Sequence, residues 1–345
     1  MKTYISTFIT GTQEAVGELL KKRRANVKLL LDGLVVYESD YPEREIRNFR
    51  FLNNTFIPVR IFSDLKPDKK SVERILSTVI NDKNTRGKVA ANLPARRKNF
   101  KIVTSLENQT IAIDRDLLEK LEAILSQAGN LRLNIKKPDL EFWTLVRREG
   151  FGFFGIRITY PYIKEGQREK GELRSEIAYI MSALSEPTPK DTVLDPFAGH
   201  GAIPLERARG FPFRKIIAVE KDRRLVLNLK KEMDRDKKKI DAEQGDAFNL
   251  KIKSGAVDKI ITDPPWGIYE ETDIPLDEFY KKMLSEFLRV LKPGGILILL
   301  IGQINVFEKV VVELGSLQID KRYPILVSGR KATIYKARKS RNEKD

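Results

Sequence analysis

The sequence lacks cysteine altogether and has a single histidine, His200. Disulfide bonds, thiolate nucleophiles and cysteine-based zinc sites are therefore excluded. One histidine also disfavours serine-histidine catalysis and multi-histidine metal centres, so we expect no metal. No apolar run is long enough to span a membrane, and the first twenty residues lack the features of a secretory signal peptide. We expect a soluble, cytoplasmic protein, and a monomer is favoured.

The chain has 345 residues, enough for two or three domains, and a formal net charge of +16. The basic excess is denser in residues 1–165 than in the rest, which favours a polyanionic partner, most simply nucleic acid. Solubility alone is the alternative explanation. The segment at residues 86–101, called the basic run below, is either a solvated loop or a contact surface for phosphate. Its candidate nucleic-acid-binding residues are Arg86, Lys88, Arg96, Arg97, Lys98 and Lys101.

The segment D-P-P-W-G at residues 263–267, called the acceptor turn below, follows an apolar run at residues 257–262. The run predicts a buried parallel strand, and open α/β sheets place their chemistry at the carboxyl ends of such strands. There the Asp263 carboxylate and the Pro264 carbonyl can accept hydrogen bonds from an exocyclic amine, while Trp266 offers a face on which a base can stack. An ordinary strand-to-loop turn uses the same residue types, so the assignment depends on a cofactor site upstream.

Such a site is indicated by the segment D-P-F-A-G-H-G at residues 195–201, called the glycine loop below, which lies between a short apolar strand and a predicted helix. Glycines at a strand-to-helix turn let the backbone approach a ligand closely. The spacing is not the G-x-G-x-x-G of dinucleotide-binding enzymes. Glu220 ends the next apolar strand, about where a ribose-binding carboxylate belongs, and Asp246 follows a further short strand.

The glycine loop resembles the S-adenosylmethionine loop of class I methyltransferases, and the L-K-P-G-G turn at residues 291–295 is frequent in the same fold. The resemblance implies a Rossmann-like α/β domain that binds S-adenosylmethionine, with Glu220 on the ribose and Asp246 on the adenine amino group. The implied cofactor-binding residues are Asp195, Phe197, Ala198, Gly199, Gly201, Glu220, Lys221, Asp246 and Ala247. The implied catalytic residues are Asp263, Pro264 and Trp266, which would hold the target amine and stack on its base.

Apolar spacing and capping residues predict helices near 69–80, from the N-cap Asp114 to a C-terminus at Gly129, at 276–291 and at 304–314. The L-K-P-G-G turn leads into a predicted strand at 296–301.

The N-terminal half is predicted as an α+β region of short elements. Its end at residues 131–159 reads strand, K-x-P-D, strand, glycine turn, strand, and resembles a THUMP domain, which is an RNA-binding module. The whole chain is thus similar to the THUMP-domain tRNA guanine-N2 methyltransferases, although Trp266 stands where tyrosine is commoner in that family. This implies tRNA as the partner. The predicted divisions are a ferredoxin-like domain at 1–62, a THUMP-like domain at 63–161, a linker at 162–172, the methyltransferase domain at 173–338 and a disordered basic tail at 339–345.

Three alternatives stay open. D-P-P-W also suits methylation of adenine N6 or cytosine N4 in DNA, although the THUMP-like half argues against DNA. A guanine N2 in ribosomal RNA is the second alternative. The third is a non-catalytic RNA-binding protein with a vestigial methyltransferase fold, against which the intact glycines and acids argue.

Overall fold

The computed structural model describes residues 1–93, 97–159, 171–236, 239–267 and 274–340. The chain divides into two compact units, one formed by Met1–Thr7 and Leu20–Tyr162, the other by Phe8–Leu19 and Ile163–Asp345. Within the described ranges, every helix is too short or too polar to cross a membrane. The same ranges hold no group of three or more histidine, aspartate or glutamate side chains placed to bind a metal ion.

The N-terminal half is built on a nine-stranded mixed sheet. Its elements are β1 (Lys2–Thr7), α1 (Gln13–Lys22), β2 (Asn26–Leu31), β3 (Leu34–Ser39), α2 (Glu43–Ile46), β4 (Asn54–Phe62), α3 (Lys69–Asn81), α4 (Thr85–Asn92), β5 (Asn99–Leu106), β6 (Gln109–Thr110), α5 (Arg115–Gly129), β7 (Arg132–Leu133), β8 (Leu140–Val146) and β9 (Gly152–Arg157). The strand order is β2-β3-β1-β4-β9-β8-β5-β6, and β7 also pairs with β5.

The first six elements follow the β-α-β-β-α-β order of a ferredoxin-like motif. The boundary predicted at residue 62 falls at the end of β4. Because β4 pairs antiparallel with β9, the strands on both sides of that boundary belong to one sheet. The division into domains therefore stays a prediction.

Local capping signals in this half are confirmed at α5. One carboxylate oxygen of Asp114 accepts hydrogen bonds from the backbone N–H groups of Asp116 and Leu117 at 3.0 and 3.3 Å, as an N-cap residue does. At the other end, Gly129 is the last helical residue, and Asn130 takes the left-handed conformation with φ of 51°. Asparagine tolerates that conformation because its short polar side chain bonds locally.

Apart from Phe8–Leu19, the second unit holds a seven-stranded sheet with helices α6 to α10. Its elements are α6 (Ser175–Leu184), β10 (Thr192–Asp195), α7 (Ala202–Gly210), β11 (Lys215–Glu220), α8 (Arg223–Asp236), β12 (Asp241–Gln244), β13 (Val257–Thr262), α9 (Leu276–Val290), β14 (Leu291–Ile301), α10 (Ile304–Leu314), β15 (Leu317–Val327) and β16 (Arg330–Lys339). The order is β12-β11-β10-β13-β14-β16-β15. The first five of these strands are parallel, and β16 is antiparallel to both of its neighbours.

Two boundaries differ from the predicted ones. The L-K-P-G-G segment, predicted as a turn before a strand at 296–301, is already the start of β14, because Leu291 pairs with Val257 ahead of an irregularity in the register. Strand β16 extends to Lys339, and the rest of the predicted tail from residue 341 lies outside the described residues. The predicted apolar face of α9 is confirmed, with Met283, Leu284 and Phe287 fully buried.

The sheet order decides where a ligand can bind. Strand β10 pairs with β11 on one side and with β13 on the other. From β10 the chain adds β11 and β12 on one side of the sheet and then β13 on the other side. Crevices form outside the carboxyl ends of the strands at such a switch point. The glycine loop and the acceptor turn follow these two strands.

Candidate active site

The glycine loop is a tight turn held by backbone hydrogen bonds. Ala198 donates to the Val219 carbonyl at 3.0 Å, and Gly201 donates to the Ala198 carbonyl at 2.7 Å. Gly201 has φ of +85°, and a Cβ there would lie 2.4 Å from Leu229 Cδ1. Both the backbone conformation and the space therefore require glycine. At Gly199 no described atom lies within 4 Å of a Cβ position, which leaves that side of the loop open to a ligand.

Glu220 fastens this loop to the end of β11. Its two carboxylate oxygens accept hydrogen bonds from the backbone N–H groups of Gly199 at 2.8 Å and Asp222 at 2.9 Å. The side chain is half-buried at the carboxyl end of its strand. A carboxylate keeps further acceptor capacity after two such bonds, so Glu220 can also accept from hydroxyl groups of a ligand.

Asp195 is the buried acid of the site, with 2% of its surface exposed. Oδ1 accepts a hydrogen bond from the Thr262 hydroxyl at 2.6 Å and a longer one from the Phe197 N–H at 3.3 Å. Oδ2 is buried and has no hydrogen-bond partner among the described residues. An orphaned carboxylate oxygen is costly, and a cationic or N–H-bearing ligand beside the loop would satisfy it.

The pKa of Asp195 is raised to about 7, chiefly by burial; the bonds from Thr262 and Phe197 oppose the rise, and the charges of Asp263 and Glu220 add to it. Its ordinary value is 3.8. Between these values the folded protein retains a proton that the unfolded chain has lost, so Asp195 stabilises the fold fully below pH 3.8 and this stabilisation is lost as pH rises to about 7.

We expect the Asp195→Asn variant to lack this pH dependence. As pH rises from 3.8 to about 7, the free energy of unfolding of the variant relative to the wild type should increase by up to about 1.4 kcal/mol per pH unit. Denaturant unfolding of both proteins at several pH values measures the difference. A constant difference from pH 4 to pH 8 would contradict the raised pKa.

The remaining predicted cofactor residues lie at the same edge of the sheet. Asp246 is exposed just after β12, and its carboxylate accepts from the Phe248 N–H at 2.9 Å. Ala247 beside it is buried, and Lys221 is exposed directly after β11. The Phe197 ring differs from the others because it packs in the core against Phe279, with 5.9 Å between ring centroids. Phe197 therefore offers a ligand its backbone.

The acceptor turn is linked directly to the glycine loop. The Thr262 hydroxyl that bonds to Asp195 joins the carboxyl ends of β13 and β10, and Asp263 is the next residue. Within the turn the Trp266 indole N–H donates to Asp263 Oδ1 at 2.9 Å. Pro264 is buried. Sequence reasoning missed Thr262, since only the strand order makes it a neighbour of Asp195.

Tyr280 is a second buried group close to this turn. Burial raises the pKa of its phenol, and the negative charge of Asp263 raises it further. Its hydroxyl is buried without a hydrogen-bond partner among the described residues. The phenol therefore stays neutral over the working pH range.

The described candidate residues of the basic run lie on α4, on β5 and in the segment just before β5. Arg86 and Lys88 are exposed on α4, where Lys88 lies 3.6 Å from Asp82, and Lys98 is exposed before β5. Lys101 on β5 instead pairs with the buried Glu141 at 2.9 Å. Arg97 is half-buried. Arg96 lies outside the described residues, so its predicted phosphate contact stays a prediction.

Sequence reasoning also missed a polar groove of about 700 Å³ in the first unit. It is lined by Arg60, Arg74, Ser77, Thr78, Asn81, Asp82 and Lys83. Positions 74, 78 and 81 share one face of α3, and this helical spacing is the signal that could have revealed the groove.

Comparison with known proteins identifies the second unit. Its strand order is that of a class I methyltransferase, and residues 165–324 match the model of the UPF0020 family, described as RMKL-like, methyltransferase domain. The second unit has the fold of a class I methyltransferase, and residues 165–324, a little under half of the chain, are similar to the methyltransferase domain of that family.

Curated relatives match about half of the chain. A mouse protein named tRNA (guanine(6)-N(2))-methyltransferase THUMP3 is 35% identical over 158 residues, covering 41% of this chain and 31% of that protein. A Thermus thermophilus tRNA (guanine(6)-N2)-methyltransferase is 27% identical over 202 residues, covering 57% of this chain and 60% of that one. The chain thus spans about a third of the length of the first mammalian relatives it matches.

A solved structure matches the fold of almost the whole chain. TrmN from Thermus thermophilus superimposes with a TM-score of 0.75 at 18% identity, over 98% of this chain and 99% of that one. At this identity the match shows the fold alone.

Proposed function

We propose that the chain is an S-adenosylmethionine-dependent methyltransferase that modifies an exocyclic amino group in RNA, most simply guanine N2 in cytoplasmic tRNA. The observation that carries this is the hydrogen bond from Thr262 to Asp195. It holds the acceptor turn against the glycine loop, so the group that binds an amine and the loop that binds a cofactor share one crevice. The names of the relatives support guanine N2 as the acceptor.

The described residues fit the proposed cofactor. S-adenosylmethionine, when bound, supplies an electrophilic methyl group on a sulfonium. Gly199 and Gly201 let it approach the loop, Glu220 offers acceptors for the ribose hydroxyls, and Asp246 is exposed where an adenine amino group can donate to it. The orphaned Oδ2 of Asp195 can accept a hydrogen bond from an N–H group of the ligand.

The acceptor turn prepares the amine for attack. An exocyclic amine is a weak nucleophile because its lone pair is delocalised into the ring. Hydrogen bonds to Asp263 and to the Pro264 carbonyl fix the amine, and they favour a geometry in which the lone pair points at the methyl group. The base must leave its stack to reach this pocket. With the methyl group that S-adenosylmethionine would supply, the amine nitrogen would gain a bond to carbon, and Asp263 would hold the proton that the nitrogen gives up.

The cofactor assignment predicts a loss of affinity in Glu220→Ala. Removing hydrogen bonds to a charged acceptor should weaken S-adenosylmethionine binding by about 1–3 kcal/mol. Isothermal titration calorimetry measures the change. Glu243→Ala is the matched control, because Glu243 is an exposed acid on the neighbouring strand, where it pairs with Val219 in the register. Equal affinity in the two variants would contradict the ribose assignment.

The proposed function is tested by labelled methyl transfer to unmodified tRNA, to U6 small nuclear RNA and to duplex DNA, followed by nucleoside analysis. We expect N2-methylguanosine in tRNA. Label in U6 RNA alone would retain the chemistry and change the substrate, and label in DNA would replace the RNA assignment. Cofactor binding with no transfer to any of the three would favour the non-catalytic alternative.

A further inference from the structure

Trp266 is held by two contacts that the acceptor role alone does not require. Its indole N–H donates to Asp263 Oδ1 at 2.9 Å. Its ring also lies against Gly302, the residue that follows β14: a Cβ built on Gly302 would lie 2.4 Å from Cε3 and 2.6 Å from Cδ2 of the indole. Real Cβ atoms do not approach other atoms so closely, so a side chain at position 302 would overlap the indole ring.

The sheet brings these residues together. Strands β13 and β14 are parallel neighbours, with Thr262 paired to Leu299. The acceptor turn and Gly302 therefore leave the same edge side by side. Gly302 does not have φ in the left-handed region, so its backbone conformation is open to alanine. A side chain at position 302 is therefore excluded by the Trp266 ring and not by the backbone conformation.

The two contacts fix different properties of the indole. The hydrogen bond is in the plane of the ring and sets where its edge points, while Gly302 supports the carbons at the ring fusion. Together they orient the ring plane and, through the N–H, the Asp263 carboxylate. A tyrosine at position 266 would have no indole N–H to donate. The tryptophan here therefore does more than provide a stacking surface.

We propose that Gly302 is a positioning residue for methyl transfer. Its missing side chain leaves the space that the Trp266 ring occupies, called the seat below. In this position the ring orients the Asp263 carboxylate toward the target amine. This rests on the proposed function for its catalytic consequence, but the seat itself can be tested without turnover. A misplacement on the scale of 1 Å can cost on the order of 100-fold in rate, and we expect a loss of that size in the kcat of Gly302→Ala. The KM for S-adenosylmethionine should be unchanged.

The seat can be observed by fluorescence because the protein has two tryptophans. The other, Trp143, bonds to Glu141 and packs on Phe56 in the first unit. In a Trp143→Phe background, emission reports Trp266 alone. Gly302→Ala should then shift the emission to longer wavelength and increase quenching by acrylamide, because the displaced indole becomes more exposed.

Gly210→Ala is the matched control. A Cβ at Gly210 would lie 2.6 Å from the ring of Tyr179, so this variant introduces a comparable clash with an aromatic ring at the end of α7. We expect neither the emission of Trp266 nor kcat to change. Trp266→Phe keeps a ring and removes the N–H, and it should lower kcat with little change in the affinity for RNA.

A double variant separates the seat from a general need for glycine. Once Trp266→Ala has removed the ring, adding Gly302→Ala should have no further effect on kcat or stability, since coupled residues are non-additive. Additive losses, or unchanged Trp266 emission in Gly302→Ala, would overturn the proposal. If Gly302→Ala fails to fold, folding of the double variant supports the seat, and its failure overturns it. A wild type without methyl transfer refutes the proposed function, while the emission still decides the seat.

Discussion

Replacing Asp263 with asparagine should lower turnover by about two to four decades, by comparison with the loss of one preorganised polar group in other enzymes. The substitution keeps the shape of the side chain and replaces one acceptor oxygen with an N–H₂ donor. One oxygen can still accept from the Trp266 indole, so the amide donor would face the N–H groups of the target amine. Because this interaction is strongest during transfer, kcat and kcat/KM should fall together.

Asp258→Asn is the matched control, since Asp258 lies at the opposite end of β13. Its carboxylate accepts from Lys292 and from the Thr192 N–H, away from the acceptor turn. Single-turnover methylation should be unchanged in Asp258→Asn and nearly abolished in Asp263→Asn, while both proteins bind tRNA like the wild type. Normal transfer to guanine N2 by Asp263→Asn would show that the acceptor turn is structural.

Replacing Asp191 with alanine should destabilise the methyltransferase domain by about 3–5 kcal/mol, the cost of leaving a buried charge without its partner. The Arg207 side chain is fully buried, and its guanidinium donates to Asp191 Oδ2 at 3.0 Å and to the Pro212 carbonyl at 2.6 Å. Burial lowers the pKa of Arg207, and the charge of Asp191 opposes this. Asp191 also accepts two bonds from Thr188, so the loop before β10 would lose its anchor as well.

The control for Asp191 is an exposed acid on the same sheet. Asp241 pairs with Lys215 at 2.7 Å, and both side chains are at least half exposed. Surface ion pairs contribute about 0–1 kcal/mol, so Asp241→Ala should unfold almost like the wild type. Replacing both members of the buried pair, as in Asp191→Ala with Arg207→Met, should recover much of the loss, because no buried charge remains. Equal losses for Asp191→Ala and Asp241→Ala in urea unfolding would refute the buried-pair explanation.

The sequence by itself determined the local parts of this protein. Apolar periodicity and capping residues located α3, α5, α9 and α10 to within about a residue or two, because these signals act over one or two helical turns. The glycine loop was recognisable for the same reason: strand, glycines and helix are contiguous, and Gly201 takes the positive φ that its position requires. Glu220 and Asp263 were located because each ends an apolar strand.

Only the tertiary structure decided which of these parts meet. Thr262 and Asp195 are 67 residues apart and are joined because β10 and β13 are neighbours in the sheet. Lys101 pairs with Glu141, which lies opposite it in the register of β5 and β8, while its predicted contact with phosphate stays a prediction. Gly302 gave no signal at all, since its role depends on a ring from another strand end. Strand order and register set these contacts, and because they arise from packing across the whole sheet, no local pattern encodes them.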